Sequence, residues 1–391
     1  MLKYSIGLDI SSKEFHACVS VIDKSQKVTA KSSRKFTNSP AGFTGLDEWI
    51  RKHHKQKEIL LFICMEATGI YHENCAFYLF KKGYNVSIIL PNKAKKYLQA
   101  TGLKSKNDKI DAQGLSRMGA EQALDLWEPM GEYFYCLRAM TRQQQSLQEF
   151  KTQLNNQLHA CEHGMYQNSL VISQLKTSIQ HLNQQIIAVE KAIEEHIKQD
   201  GEVARKVENI CKIKGLGLLT VAVVLAETNG FVLFKNKQQL VSYSGYDVIE
   251  NQSGKHIGKT RISKKGNSRI RRILHMPAFN VVRYNQRPFV QLFERTFNRN
   301  GMKMKGYVAV QKKLLVIIYS LWKKDEVYDD NYGIKCDNEN VNTGEQEQVP
   351  FSLHSFAEAD RKKIAPELAD ATQDRHTVEQ SQFAFSLQKR S

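Results

Sequence analysis

Four carboxylates and one serine carry the chemistry legible in this chain. Asp9 closes the β-rich run YSIGLDI, and Glu66 closes the very apolar run EILLFICME just before Ala-Thr-Gly. Asp108 and Asp111 lie three apart in KNDKIDA, a spacing that puts both on one face of a helix. Strand ends are where the carboxylates of α/β sites gather, so the four can converge. Hard oxygen ligands of this kind hold Mg²⁺, and two ions roughly 3.5 to 4 Å apart serve phosphoryl transfer by stabilising both the attacking and the leaving oxygen. Without cations, carboxylates held that close repel one another. Each residue also has a plainer reading: an Asp after a strand is commonly a cap, and an Asp-x-x-Asp pair is commonly a solvated helix face. Glu66 fits that reading least, because a surface charge has little reason to follow so apolar a strand.

The elements that must position these groups follow from patterning. Residues 4–10 and 15–22 read as strands around the polar turn SSKE, with a third strand between Lys27 and Phe36. A helix over PAGFTGLDEWIRKHH, a buried strand over 58–66, a helix over 70–82, a strand over 85–90 and helices over 92–99 and 107–120 complete a mixed α/β sheet covered on both faces. From about 135 the pattern changes. Leu175, Ile179, Leu182, Ile186, Val189, Ile193 and His196 step by four and three, a heptad seam, and Leu147, Leu154, Leu158 and Cys161 repeat it more weakly before a break at His163 and Gly164. Two long antiparallel helices follow, either a rigid spacer or a dimerisation arm. The division is therefore 1–130 as the α/β domain, 131–204 as a coiled-coil arm, 205–330 as a helical basic domain and 331–391 as an acidic tail without periodicity, expected to be disordered.

Charge separates these regions. The 391 residues carry a net charge of +17, with 41% hydrophobic and 25% charged side chains, which excludes a membrane bundle and a fully disordered chain. Between Arg205 and Lys313 there are 22 Lys and Arg against five acids, so this segment alone accounts for the whole excess. A confined positive module suits a polyanionic partner such as nucleic acid. The seven cysteines form no CxxC pair, which argues against a zinc site and a disulfide framework and for a reducing cytoplasm. No apolar run approaches a membrane span, so a soluble, unexported protein is expected.

Within the basic module, KIKGLGLLTVA sets Gly215 and Gly217 between two apolar helical stretches, as in a helix-hairpin-helix whose backbone N–H groups approach a phosphate. Lys255, Lys259, Arg261, Lys264, Lys265, Arg269, Arg271 and Arg272 then fall within 18 residues, enough to neutralise several phosphates. Ser253, in Gln-Ser-Gly just ahead of this run, reads on its own as a turn residue.

Five blocks, GLDISSKEFHACV, MEATGIYH, LPNKAKKYLQATGLKSKNDKIDAQGLSRMG, KGLGLLTVAVVLAE and ENQSGKHIGKTRISKKGNSRIRRIL, occur in this order across about residues 4–320. They strongly resemble the DEDD transposases of bacterial insertion sequences of the IS110 group, also described as bridge-RNA-guided recombinases. The resemblance implies an RNase H-like, RuvC-like N-terminal domain in which Asp9, Glu66, Asp108 and Asp111 are the acidic tetrad, holding two Mg²⁺ ions. It implies that Ser253 is the nucleophile that attacks the scissile phosphate and becomes linked to DNA. The rival serines Ser242 and Ser244 match the motif less well, and His256, Lys255 and Arg261 are candidates for charge stabilisation. It also implies DNA and a guide RNA as partners, a homo-oligomer whose arms bring one subunit's serine toward another's tetrad, and residence at the bacterial nucleoid. A RuvC-like nuclease using water, or a non-catalytic nucleic-acid-binding protein, are the alternatives.

Overall fold

The computed structural model describes residues 2–67, 69–101, 107–250, 252–253, 256–258 and 260–329, with the backbone alone described for Ser253, His256 and Ile257. Lys255, Lys259 and the tail 331–391 lie outside the described residues. The chain opens with strands β1 (Lys3–Ile10), β2 (Glu14–Ile22) and β3 (Val28–Thr37), then helix α1 (Pro40–His53), β4 (Leu61–Glu66), α2 (Glu73–Lys81), β5 (Asn85–Ile89), α3 (Pro91–Ala100) and α4 (Asp108–Glu121). One sheet has the order β3-β2-β1-β4-β5. The first three strands pair antiparallel, whereas β4 joins β1, and β5 joins β4, in parallel. This is the RNase H-like arrangement expected.

Period-two alternation splits the sheet cleanly. Tyr4, Ile6 and Leu8 of β1 and Leu61, Ile63 and Met65 of β4 are buried with Leu46, Trp49 and Ile50 of α1 and Leu79 of α2. The opposite face of β1 is made of Ser5, Gly7 and Asp9, and α4 covers it. A Cβ on Gly7 would stand 2.1 Å from the Ala112 carbonyl oxygen and 2.2 Å from the Ser116 nitrogen, so strand and helix backbones touch there without side chains between them. Gly119 makes the same close approach one helical stretch later, where a Cβ would meet Ser5 Oγ at 2.3 Å and Cys64 Cβ at 3.1 Å. Ser116 also reaches β2, with its Oγ 2.7 Å from Ser20 Oγ.

Helices α5 (Glu132–Glu162) and α6 (Ser169–Gln199) follow, and they lie antiparallel: Lys176 pairs with Glu162, Gln144 donates to Glu190, and Tyr133 stacks on His196. Every residue of the α6 seam read from the sequence is buried or half-buried. Burial is deepest at the base, where Ile193 and Ile197 enter the core of the next domain with Leu137 of α5.

That domain contains α7 (Gly201–Cys211), α8 (Leu218–Thr228) and α9 (Lys237–Tyr243), then the short strands β6 (Val248–Ile249), β7 (Gln252–Ser253), β8 (His256–Ile257) and β9 (Arg261–Ile262), then α10 (Ser268–Ile273), α11 (His275–Arg283), α12 (Arg287–Asn300) and α13 (Lys303–Lys324). Helix α7 starts at Gly201 because Asp200 caps it, its carboxylate accepting from the Glu202 and Val203 amides at 3.0 and 3.1 Å. The apolar helix α8 is buried along most of its length, at the centre of this domain. Among the described residues no helix is long and apolar enough to cross a membrane.

Candidate active site and nucleic-acid interface

The packing of α4 on β1 fixes where the carboxylates stand. Gly119 lies over Ser5, and Ala112 and Ser116 lie over Gly7, so the helix runs against the strand and its first turn arrives beside Asp9. Asp108 and Asp111 occupy that turn, capped by Asn107, whose side chain accepts from the Ile110 amide at 2.9 Å. Carboxylates there also suit the positive end of the helix dipole. Parallel pairing of Leu8 with Met65 brings Glu66 level with Asp9 on the neighbouring strand. Asp9, Glu66 and Asp111 are half-buried and Asp108 is exposed. The backbone therefore gathers all four sequence-identified carboxylates at one sheet end. Among the described residues, no three His, Cys, Asp or Glu side chains are drawn close enough together to hold a metal ion.

One neighbour was not anticipated from sequence. His16 pairs directly opposite Asp9 across β1 and β2, and its Nδ1 is 3.8 Å from Asp108 Oδ2. The strand periodicity that placed Asp9 places His16 as well, since antiparallel partners share a face.

The basic module is organised around a buried acid. Glu227, at the end of α8, has a side chain only 2% exposed. It accepts from Arg142 Nε at 2.8 Å and Nη2 at 3.0 Å, and from Asn267 Nδ2 at 2.7 Å, while Tyr243 donates to its backbone carbonyl at 3.0 Å. Asn267 in turn caps α10, accepting from the Arg269 and Ile270 amides. One carboxylate thus joins the arm, the central helix and the start of the arginine-rich helix.

The arginines of the run divide by role. Arg271 donates to the carbonyls of Ser244 at 2.8 Å and Lys264 at 3.2 Å, so its guanidinium holds the loop in place. Arg272 pairs with Glu149 of the arm. Arg261, Lys264 and Lys265 are exposed, and the half-buried Arg269 has an Nε with no hydrogen-bond partner among the described residues. The sequence count treated this run as locally unbalanced; the fold supplies Glu149 and Glu227 from segments 123 and 40 positions away from Arg272 and Asn267. The backbone at Ser253 pairs with His256, and Val248 pairs with Ile262, which makes two small antiparallel ladders between α9 and α10. Gly215 has φ +96°, and a Cβ there would meet Asn280 Cβ at 2.8 Å, so the turn between α7 and α8 requires glycine. Gly217 precedes α8, which has no side-chain cap, and a Cβ on it would meet nothing within 4 Å.

Known proteins resemble the chain in the same two regions. Residues 6–166 match a DEDD transposase family of the IS110 type, and residues 207–293 match the transposase IS116/IS110/IS902 family. The pilin gene-inverting protein of Moraxella bovis is 30% identical over 334 residues, covering 84% of this chain and 98% of that protein. The transposase for insertion sequence element IS1111A of Coxiella burnetii is 22% identical, covering 73% and 87%. Among solved structures, RuvC of Thermus thermophilus in complex with a Holliday junction substrate is similar at 12% identity and a TM-score of 0.24, covering 30% of this chain and 93% of that one.

Proposed function

The chain belongs to the IS110-type transposase family, and from that premise we propose that it cuts and rejoins DNA at the ends of a mobile element, with Asp9, Glu66, Asp108 and Asp111 as its Mg²⁺-binding set and Ser253 as its nucleophile. The observation that supports the reading is the arrival of the first turn of α4 beside the ends of β1 and β4, which brings the four carboxylate-bearing positions to the same end of the sheet. Such all-oxygen donors suit Mg²⁺, which when bound stabilises the charge on the attacking and leaving oxygens. In the proposed step the Ser253 hydroxyl attacks the scissile phosphorus and loses its proton, the phosphorus–oxygen bond to the deoxyribose breaks, and a deoxyribose hydroxyl leaves. A hydroxyl of the exchanged strand then attacks the phosphoserine and restores the serine.

The test is trapping. Supercoiled DNA carrying the ends of the element is incubated with the protein, its co-purifying nucleic acid and Mg²⁺, then denatured. A protein–DNA adduct that disappears in Ser253→Ala is expected. An adduct that persists in Ser253→Ala, or cleavage without any adduct, sinks the serine assignment, the second outcome in favour of attack by water. We take the paired α5 and α6 as a coiled-coil arm joining protomers, and the α7–α8 turn as a helix-hairpin-helix gripping phosphate through the backbone N–H groups that follow Gly217. A guide RNA is the further partner in this reading, and sequencing the nucleic acid that co-purifies from cells identifies it.

The division among the basic residues makes a separate forecast. Removing exposed charges with Arg261→Ala and Lys265→Ala is expected to lower the slope of log affinity against log salt by about 1.8, roughly 0.9 per lost phosphate contact on duplex DNA. Arg271→Ala, which removes a tie between carbonyls, leaves that slope unchanged and lowers thermal stability instead. A slope unaltered in the double variant refutes the assignment of these two side chains to phosphate.

A further inference from the structure

A cleft of about 680 Å³ lies between the RNase H-like domain and the helical domain, on residues the proposed chemistry does not use. Its floor is apolar: Phe77, Ile88, Trp127, Met130 and Leu233 line it, and Phe77 and Leu233 are 44% and 48% exposed. Its rim is acidic. Glu73 is engaged by Tyr135 and Arg138, and Lys81 sits over the Phe77 ring, whereas Asp125 and Glu128 make no ion pair with the described residues. His72 also borders the cleft at 8% exposure, and its Nδ1 has no hydrogen-bond partner among the described residues.

In a chain whose charge is +17, an acidic rim over an apolar floor repels nucleic acid and suits a basic, apolar peptide. The chain contains one. Phe383-Ala-Phe-Ser-Leu-Gln-Lys-Arg390 alternates Phe383, Phe385 and Leu387 ahead of Lys389 and Arg390 and contains no acid. In extended form the three apolar side chains share one side. The last helix passes behind the cleft wall: Trp322 of α13 lies 6.5 Å from Phe231, ring to ring, and Phe231 is two residues from Leu233, which lines the cleft. The 53 residues between Asp329 and Phe383 can span on the order of 170 Å, so reach is no obstacle.

We propose that residues 383–390 dock intramolecularly in this cleft, with the apolar side chains on its floor and Lys389 and Arg390 against Asp125 and Glu128. A peptide seated there contacts the linker at 125–130, α2 and the helical domain at once.

The full chain is compared with a full-length Phe383→Ser, Phe385→Ser, Leu387→Ser variant by amide hydrogen exchange. Exchange at 125–130 and 72–77 is expected to be about tenfold faster in the variant. Carbodiimide treatment of mixed ¹⁵N-labelled and unlabelled chains is expected to join Lys389 to Asp125 or Glu128 within one isotopic species. Equal exchange in the two proteins overturns the proposal, and so do cross-links between labelled and unlabelled chains, which make the occupant a second copy. Both readouts need no DNA, so they are independent of the serine and metal assignments.

Discussion

Gly7→Ala is expected to slow strand cleavage about 10²-fold and to destabilise the N-terminal domain, although Gly7 carries no functional group. The added Cβ would enter the backbone of α4 at 2.1, 2.2 and 2.9 Å from atoms of Ala112, Ser116 and Leu115. Backbone cannot rotate away as a side-chain end does, so the helix must lift from the strand. Overpacking of this kind costs about 1–3 kcal/mol and occasionally more, and contact with three backbone atoms of α4 puts this site at about 3 kcal/mol or above. The helix that lifts carries Asp108 and Asp111, and a displacement near 1 Å in a positioned catalytic group lowers rate by about 10²-fold. Urea unfolding followed by near-ultraviolet circular dichroism, with cleavage assayed where the variant remains folded, separates the two effects. Gly131→Ala is the control, since a Cβ there meets nothing within 4 Å. A Gly7→Ala protein with wild-type midpoint and cleavage would falsify the proposed dependence of the carboxylates on this contact.

The second large effect is expected at Glu227. Glu227→Ala leaves Arg142 without its counterion and Asn267 without an acceptor at the foot of α10. Breaking a buried pair costs about 3–5 kcal/mol; because Arg142 is 41% exposed and can be resolvated, about 2–3 kcal/mol is expected here. The pH dependence has a definite sign. Burial raises the Glu227 pKa, but the hydrogen bonds from Arg142 and Asn267 outweigh it and hold the carboxyl below its ordinary value of 4.5. A depressed folded-state pKa contributes stability that is fully present above 4.5 and is lost as pH falls through the folded value. Urea midpoints measured down to about pH 3 therefore fall more steeply in the wild type than in Glu227→Gln, which has no proton to take up at this position. Parallel acid limbs in the two proteins would show that Glu227 is not the linked group.

Periodicity explains why much of this was readable and some was not. The carboxylates were legible because each follows a local rule, a strand end or a three-residue helical step, and the arm was legible because its heptad repeats along α6. What brings the carboxylates together is not local. Gly7 and Gly119 look like ordinary glycines in a strand and a helix, and their role exists only once α4 crosses β1. The same holds for Arg142 and Glu227, 85 positions apart, and for Arg272 and Glu149, 123 apart. Residue counting assigned every arginine of the basic run to a ligand; the fold commits Arg271 to carbonyls that no spacing rule connects to it. The α7 boundary at Gly201 rested on the Asp200 cap, a signal present in the sequence but masked by continuous helical character on both sides.

The arm has a mechanical gradient built into it. Helices of 31 residues extend about 46 Å at 1.5 Å per residue. At the root, Leu137, Ile193 and Ile197 are sealed into a large core, whereas Leu175 and Ile179 are half-covered and Met165 and Tyr166 at the far bend stand 88% and 87% exposed. A beam clamped at one end and lightly laced at the other transmits angle faithfully near its root and absorbs misfit near its end. Whatever meets the bend can vary in shape without disturbing the packing of the helical core, while a small tilt at the root is magnified across the whole length.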